Sequence, residues 1–320
     1  MSSVAFVNSP KATDCQPGWR GQLLAVLLVA LLAAGCSDSP AATTTTAAAT
    51  TSEPSTTTAA ATTTTAATTV TAATTTTTAA TEVRDVVALG DSLVAGYGVR
   101  DDEAYTPEEA FPGVYAQSLG EQLGVETALH SYFPSQTWND VRTVAEWNEV
   151  LASDEQMQAD LRGAEVVIVW LGTHDLVPAL LFGDCGSDWP EPLRTCLQEA
   201  TETMPADFDE LLRTIESLVP EGAIVMIGNQ GVAPLWVEDW GAQSFWPELK
   251  AVAFDGWWEG IKTAAAANGA IVVDSAEALN GPDGNQMPPP EFVLPDQLHM
   301  TAAGHRFLAD LFLAADGLGD

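Results

Sequence analysis

The chain has 320 residues, 46% of them hydrophobic, and 11 basic against 44 acidic side chains give a formal net charge of −33. That length provides for one large domain or two small ones, and the apolar content excludes wholesale disorder. The charge excludes unassisted binding to nucleic acid or anionic lipid, because phosphate recognition needs a basic surface.

The first feature along the chain is the run Gln22–Ala34 (QLLAVLLVALLAA), preceded by Lys11 and Arg20. A spanning helix needs roughly 20 apolar residues, so this run is short for a membrane span and fits the apolar core of a secretory signal. The string Leu32-Ala33-Ala34-Gly35-Cys36 resembles a bacterial lipobox. That resemblance implies lipidation of Cys36 and anchoring at the outer face of the cytoplasmic membrane; a soluble secreted protein is the alternative. Residues 41–81 are Thr and Ala interrupted only by Ser52, Glu53, Pro54, Ser55 and Val70. Such a stretch offers nothing to bury against the entropy of ordering, and it is expected to be a disordered linker over 37–81, with O-glycosylation suggested by composition.

The remainder, 82–320, holds 9 basic and 41 acidic residues and only two lysines, Lys250 and Lys262. An acidic surface of this kind favours solubility, fits a salty habitat and repels anionic substrates. Cys185 and Cys196 fall here. In an exported domain a disulfide between them is expected, and closing that loop stabilises by roughly 3 kcal/mol in the chain-entropy model; two free thiols are the alternative.

Short Val/Ile-rich runs at Asp85–Leu89, Glu165–Leu171, Ala223–Ile227 and Ala270–Val273 are continuous rather than alternating, which suits strands buried on both faces. Val125–Tyr132 is a weaker fifth strand. Helix-like stretches lie between them, including Phe111–Leu123, Asp207–Leu218, Phe245–Asn268 and Thr301–Leu313. The β-α-β alternation predicts a three-layer α/β/α domain on a parallel five-stranded sheet, whose sites form beyond the carboxyl ends of the strands. The stretch 178–205, with its Pro, Cys and acidic residues, reads as a lid-like loop.

Three blocks sit where such a site forms. Gly90-Asp91-Ser92-Leu93 follows the first strand, Gly172-Thr173-His174-Asp175 follows the third, and Asp296-Gln297-Leu298-His299 precedes the last helix. GDSL alone is a weak match; paired with D-x-x-H at the other end of one α/β domain it is specific. The chain resembles the GDSL, or SGNH, hydrolase family over nearly all of 85–315. The chemistry of that family is acyl transfer from esters. A serine hydroxyl becomes a nucleophile only when an imidazole takes its proton. The resemblance implies Ser92 as nucleophile at a strand-to-helix turn, His299 as base and then acid, and Asp296 as the group orienting His299. Read without it, Ser92 is a helix N-cap and Asp296 a charge at a helix start. The motif differs from the G-x-S-x-G elbow, since Gly96 stands four residues after Ser92.

The family's oxyanion hole has three donors: the nucleophile's own N–H, a Gly N–H and an Asn side chain. Alignment places Ser135 at the Gly position and His174 at the Asn position, two departures from the pattern. A backbone N–H survives at Ser135, with less room for a positive φ. His174 admits three readings: a working substitute, a donor retuned by its protonation state, or the mark of a degraded site. His305 is expected to pack or lie on the surface and His130 to be structural. No metal is expected, because Asp283-Gly284-Asn285 lacks the rest of a calcium loop, and the acyl-enzyme chemistry that the resemblance implies needs no cofactor. Of the ten Trp, residues 236, 240, 246, 257 and 258 crowd between the fourth and fifth strands and Trp189 lies in the Cys185–Cys196 loop. Core packing is the expected role of each, with stacking on a sugar or acyl chain as the alternative.

These readings converge on an exported serine esterase of neutral carboxylic esters: acetylated glycans, short acyl esters or lipid esters. Two rivals remain at this point, a non-catalytic surface binding protein on the same fold and an acyltransferase using the same residues.

Overall fold

The computed structural model describes residues 83–100, 106–133, 142–176, 193–230, 246–295 and 299–318. Cys36, the linker over 37–81, Ser135, Cys185 and Asp296 lie outside them, as do Trp189, Trp236 and Trp240.

Five strands, β1 (Val83–Gly90), β2 (Glu126–Tyr132), β3 (Val166–Trp170), β4 (Ile224–Gly228) and β5 (Ile271–Val273), form one sheet in the order β2-β1-β3-β4-β5. Every pairing is parallel. β3 occupies the middle, flanked by β1 and β4, and is buried at every position, which explains its unbroken run of Val, Ile and Trp. Because successive side chains of a strand point to opposite faces, each central strand feeds two cores. Val87, Leu89, Val167 and Val169 pack on one side. Val86, Ala88, Val166, Ile168 and Trp170 pack on the other.

The first face is covered by α2 (Val144–Ser153), α3 (Glu155–Gly163), α4 (Leu193–Leu218) and α6 (Asp255–Ala267), through Trp147, Leu161, Phe208 and Trp257. The second is covered by α1 (Phe111–Leu123) and α8 (Ala302–Asp316), through Phe111, Tyr115, Leu308 and Phe312. Each such side chain taken fully from water contributes about 1.5–3 kcal/mol before entropy. The domain is therefore the three-layer α/β/α structure expected, and β5 is followed by a short helix, α7 (Ser275–Asn280).

Local signals set the helix ends. Thr143 and Glu146 form a reciprocal capping box on α2, Asp154 caps α3 through the N–H groups of Gln156 and Met157, and Thr301 caps α8 through Gly304. Two expectations need correction. The part of 178–205 from Leu193 onward is not a lid-like loop but the first half of α4. Leu197, Met204, Phe208, Leu211 and Ile215 recur at helical spacing and are all buried, so burial of that stripe outweighs the break suggested by Pro205, which sits inside the helix. Likewise Phe245–Asn268 is not one α-helix: α5 (Trp246–Leu249) passes through a π-helical turn, Lys250–Phe254, into α6. The wider turn lets Ala253 and Phe254 within it, and Trp257 and Ile261 beyond it, all face the core. Trp257 is thus a core residue, 1% exposed, and Trp258 is half-buried with its indole N–H on the Gln230 carbonyl at 3.1 Å.

Candidate active site

β1 ends in Gly90 and delivers the chain directly to Asp91 and Ser92. From there the backbone runs through a series of tight turns, closed by backbone bonds from Ala95 to Asp91 (3.1 Å) and from Tyr97 to Ser92 (2.9 Å). The helix expected immediately behind Ser92 is therefore absent among the described residues, and Ser92 is not an N-cap. Gly96 and Gly98 both have positive φ, +84° and +86°, which ends any helix begun there. Gly98 is required for a second reason: a Cβ on it would lie 2.5 Å from the Met300 carbonyl, so only glycine lets the turn approach the segment carrying His299. Leu93, Val94 and Ala95 are buried and anchor the turn, leaving Ser92 half-buried at the sheet's carboxyl end.

His299 reaches the same place from the far end of the domain. A small antiparallel contact between Val293 and Met300, with the Leu294 N–H on the His299 carbonyl at 2.8 Å and the Thr301 N–H on the Phe292 carbonyl at 3.0 Å, fixes the backbone just before α8. The imidazole Nε2 then lies 3.0 Å from the Ser92 hydroxyl oxygen, within reach for proton transfer. The Tyr97 ring stands against His299, with centroids 4.2 Å apart and planes inclined by 49°.

Behind this pair lies a buried polar layer. Asp91 is only 3% exposed and accepts the Leu93 N–H at 2.9 Å. Burial pushes its carboxyl above the usual carboxylate range, against the pull of His174, the Leu93 N–H, Thr173 and His299. Burial pushes His174 the other way, below the ordinary histidine value, partly offset by Asp91. A neutral imidazole at this position carries a single N–H to donate. Gly172, at φ +111°, abuts the Trp257 indole, where a Cβ would lie 2.5 Å from Nε1. The Thr173 hydroxyl donates to the Gln230 side-chain oxygen, tying the end of β3 to the end of β4. Asp175 accepts the Val144 N–H at 3.2 Å at the start of α2. Burial, reinforced by Asp207 and Glu146, lifts its carboxyl to about 7.

Of the residues singled out from the sequence, the structure brings Ser92 and His299 into contact and sets His174 close enough to Asp91 and His299 to feel their charge. Ser135 and Asp296 lie outside the described residues. His305 is fully buried and packs, as expected. His130 stands on β2, between Asp85 and Asp160. Sequence reasoning passes over three contributors: Tyr97, Asp91 as more than a letter of the motif, and the Asn229-Gln230 pair after β4. Asn229 is buried and its amide donates to Asp274 at 2.7 Å. Polar residues directly after a buried strand run are the signal that could find Asp91 and the Asn229-Gln230 pair; Tyr97 carries no such signal. Among the described residues, no three His, Cys, Asp or Glu side chains cluster to hold a metal ion, and no helix is long and apolar enough to cross a membrane.

A serine hydroxyl in contact with an imidazole at the carboxyl ends of a parallel sheet defines the class: a three-layer α/β fold with a Ser–His pair at the usual place for a site. Within that class the chain belongs to the GDSL-like lipase/acylhydrolase family, whose sequence model matches residues 88–307. No curated protein matches the sequence. Solved structures share the fold at low identity. The lipase Lip_vut3 from a goat rumen metagenome is 20% identical at a TM-score of 0.56, covering 74% of this chain and 100% of its own. An extracellular lipase from Streptomyces rimosus is 19% identical at a TM-score of 0.50, covering 72% and 99%. Phospholipase A1 from Streptomyces albidoflavus NA297 is 17% identical at a TM-score of 0.50, covering 74% and 100%.

Proposed function

We propose that the protein is an exported, lipid-anchored serine esterase acting on neutral carboxylic esters through an acyl-enzyme. The observation that carries this reading is the 3.0 Å contact between the Ser92 hydroxyl and His299 Nε2. Ser92 attacks the ester carbonyl as its proton passes to His299. The imidazolium then returns that proton to the departing alcohol oxygen, leaving the acyl group on Ser92. Water enters and attacks the acyl carbonyl as its proton passes to His299, which then gives that proton to the Ser92 oxygen as the bond to the acyl group breaks and the acid leaves. In this reading Asp296 is the carboxylate that orients His299. The developing oxyanion takes hydrogen bonds from the backbone N–H groups of Ser92 and Ser135 and from the His174 side chain. No cofactor enters the scheme.

Acetylated glycans, short acyl esters and lipid esters are the substrate classes compatible with a net charge of −33, which disfavours anionic substrates. Export rests on the apolar run Gln22–Ala34 and anchoring on Cys36 in its lipobox-like string. A Cys185–Cys196 disulfide belongs to the same reading, supported by Cys196 being disulfide-bonded. The test is hydrolysis of p-nitrophenyl esters from acetate to palmitate by the wild type and a Ser92→Ala control. Turnover lost in the control supports the esterase, and turnover retained in it overturns the assignment of Ser92. An acyl product that appears on an added alcohol in preference to water identifies an acyltransferase instead.

A further inference from the structure

His305 takes no part in the chemistry above, yet it is completely buried and both of its ring nitrogens are engaged. Nδ1 accepts the backbone N–H of Phe111 at 3.2 Å. Phe111 is the first residue of α1, and the preceding Ala110 supplies no side-chain cap, so the imidazole serves α1 in place of a capping side chain. The other nitrogen, Nε2, lies 3.3 Å from the Tyr97 carbonyl and donates to it. An imidazole that accepts at Nδ1 and donates at Nε2 is neutral and held in one tautomer.

These contacts join the parts of the site that must hold register. The Tyr97 N–H is bonded to the Ser92 carbonyl at 2.9 Å, so fixing Tyr97 fixes the turn bearing the nucleophile. The Tyr97 ring lies against the His299 ring, and His299 sits six residues before His305, at the entrance to α8. We infer that His305 is a positioning residue that clamps the Ser92 turn to the start of α8, and that through it the Tyr97 ring is held against His299 to favour the charged imidazolium formed in the transition state. The face of an aromatic ring attracts a cation, and a contact that strengthens only as charge develops raises kcat rather than lowering KM.

This inference rests on the esterase reading. Its test uses the full-length protein with p-nitrophenyl butyrate, measuring kcat and KM for the wild type, His305→Phe, His305→Gln and Tyr97→Leu. His305→Phe keeps the shape and removes both hydrogen bonds, and is expected to lower kcat about 10–100-fold with KM little changed, as for a small misplacement of reacting groups. His305→Gln retains one donor and one acceptor and is expected to restore most of that loss. Tyr97→Leu is expected to lower kcat about 3–5-fold, the worth of an exposed cation–π contact. A folded His305→Phe protein with wild-type kcat overturns the inference. If His305→Phe fails to fold, an unchanged kcat in Tyr97→Leu overturns it on its own. A wild-type chain that neither hydrolyses esters nor reacts with a fluorophosphonate overturns the esterase reading and this inference with it, whereas variant results alone bear only on the clamp.

Discussion

Three of the four histidines lie at the carboxyl end of the sheet and the fourth at its outer edge, and the two regions use the same side chain in opposite ways. His299 touches the Ser92 hydroxyl, His174 feels the charges of Asp91 and His299, and His305 is fully buried with both ring nitrogens engaged. His130 stands on edge strand β2, 3.3 Å from Asp160 and 3.6 Å from Asp85, with 36% of its side chain exposed. At the buried end a lost partner leaves a polar group stranded in low dielectric, which is costly. At the edge, solvent screens the same interaction to a small net value. The difference separates the histidines to which the proposed reading gives chemistry or register from one on an edge strand, though all four are equally plain in the sequence.

Substitutions should follow that division. His299→Ala is expected to show the largest effect, a fall in kcat on the order of 10⁴–10⁶-fold, read from ester hydrolysis at saturating substrate. His174→Ala comes next, with a loss of about 10²–10³-fold if its N–H serves the oxyanion, while His174→Asn retains or raises the rate. An unchanged kcat in His174→Ala removes that side chain from catalysis. His305 is expected to act on stability as well as rate. Burial depresses its pKa to about 4 from the ordinary histidine value of 6.5, so the unfolded chain binds the proton first as the pH falls. Its contribution is complete above about pH 6.5 and is lost progressively down to about pH 4, roughly 3 kcal/mol in all. Urea unfolding of the wild type and His305→Gln at pH 7.5 and pH 4.5 checks this, since the variant lacks that particular dependence. His130→Ala is expected to be the mildest, under about 1 kcal/mol in the same unfolding assay, with kcat unchanged.

Asp175 sharpens the comparison from the acidic side. Its carboxyl is raised to about 7 by burial, so the folded state holds a proton that the unfolded chain releases at lower pH. That group therefore favours folding most below about pH 4 and loses its contribution as the pH rises to about 7. Asp175→Asn is expected to unfold at higher temperature than the wild type at pH 8 and at nearly the same temperature at pH 4, measured by thermal melts.

Much of this architecture is legible in the sequence. The apolar runs of β1 and β3 are unbroken because both faces are covered, and Phe111–Leu123 is helical over the bounds its periodicity suggests. The Ser92–His299 contact is legible because the two residues stand just after β1 and just before α8, in motifs of fixed spacing. Other features depend on partners distant in the chain. Pro205 reads as a break, yet α4 continues through it because its buried stripe spans the proline. His305 reads as an ordinary helix residue, and only the fold brings Phe111 and Tyr97 to its two nitrogens. Tyr97 stands five residues after Ser92, and nothing local shows that the turns fold it back onto His299.

The central claim is that Ser92 is a nucleophile activated by His299. The most direct measurement is the intact mass of the full-length protein after reaction with a fluorophosphonate, with peptide mapping of the adduct, for the wild type, Ser92→Ala and His299→Ala. The expected result is one adduct per chain on Ser92 in the wild type, none at that position in Ser92→Ala, and labelling slowed by orders of magnitude in His299→Ala. A folded wild-type protein that takes no adduct at Ser92, or a His299→Ala protein labelled as fast as the wild type, contradicts the account.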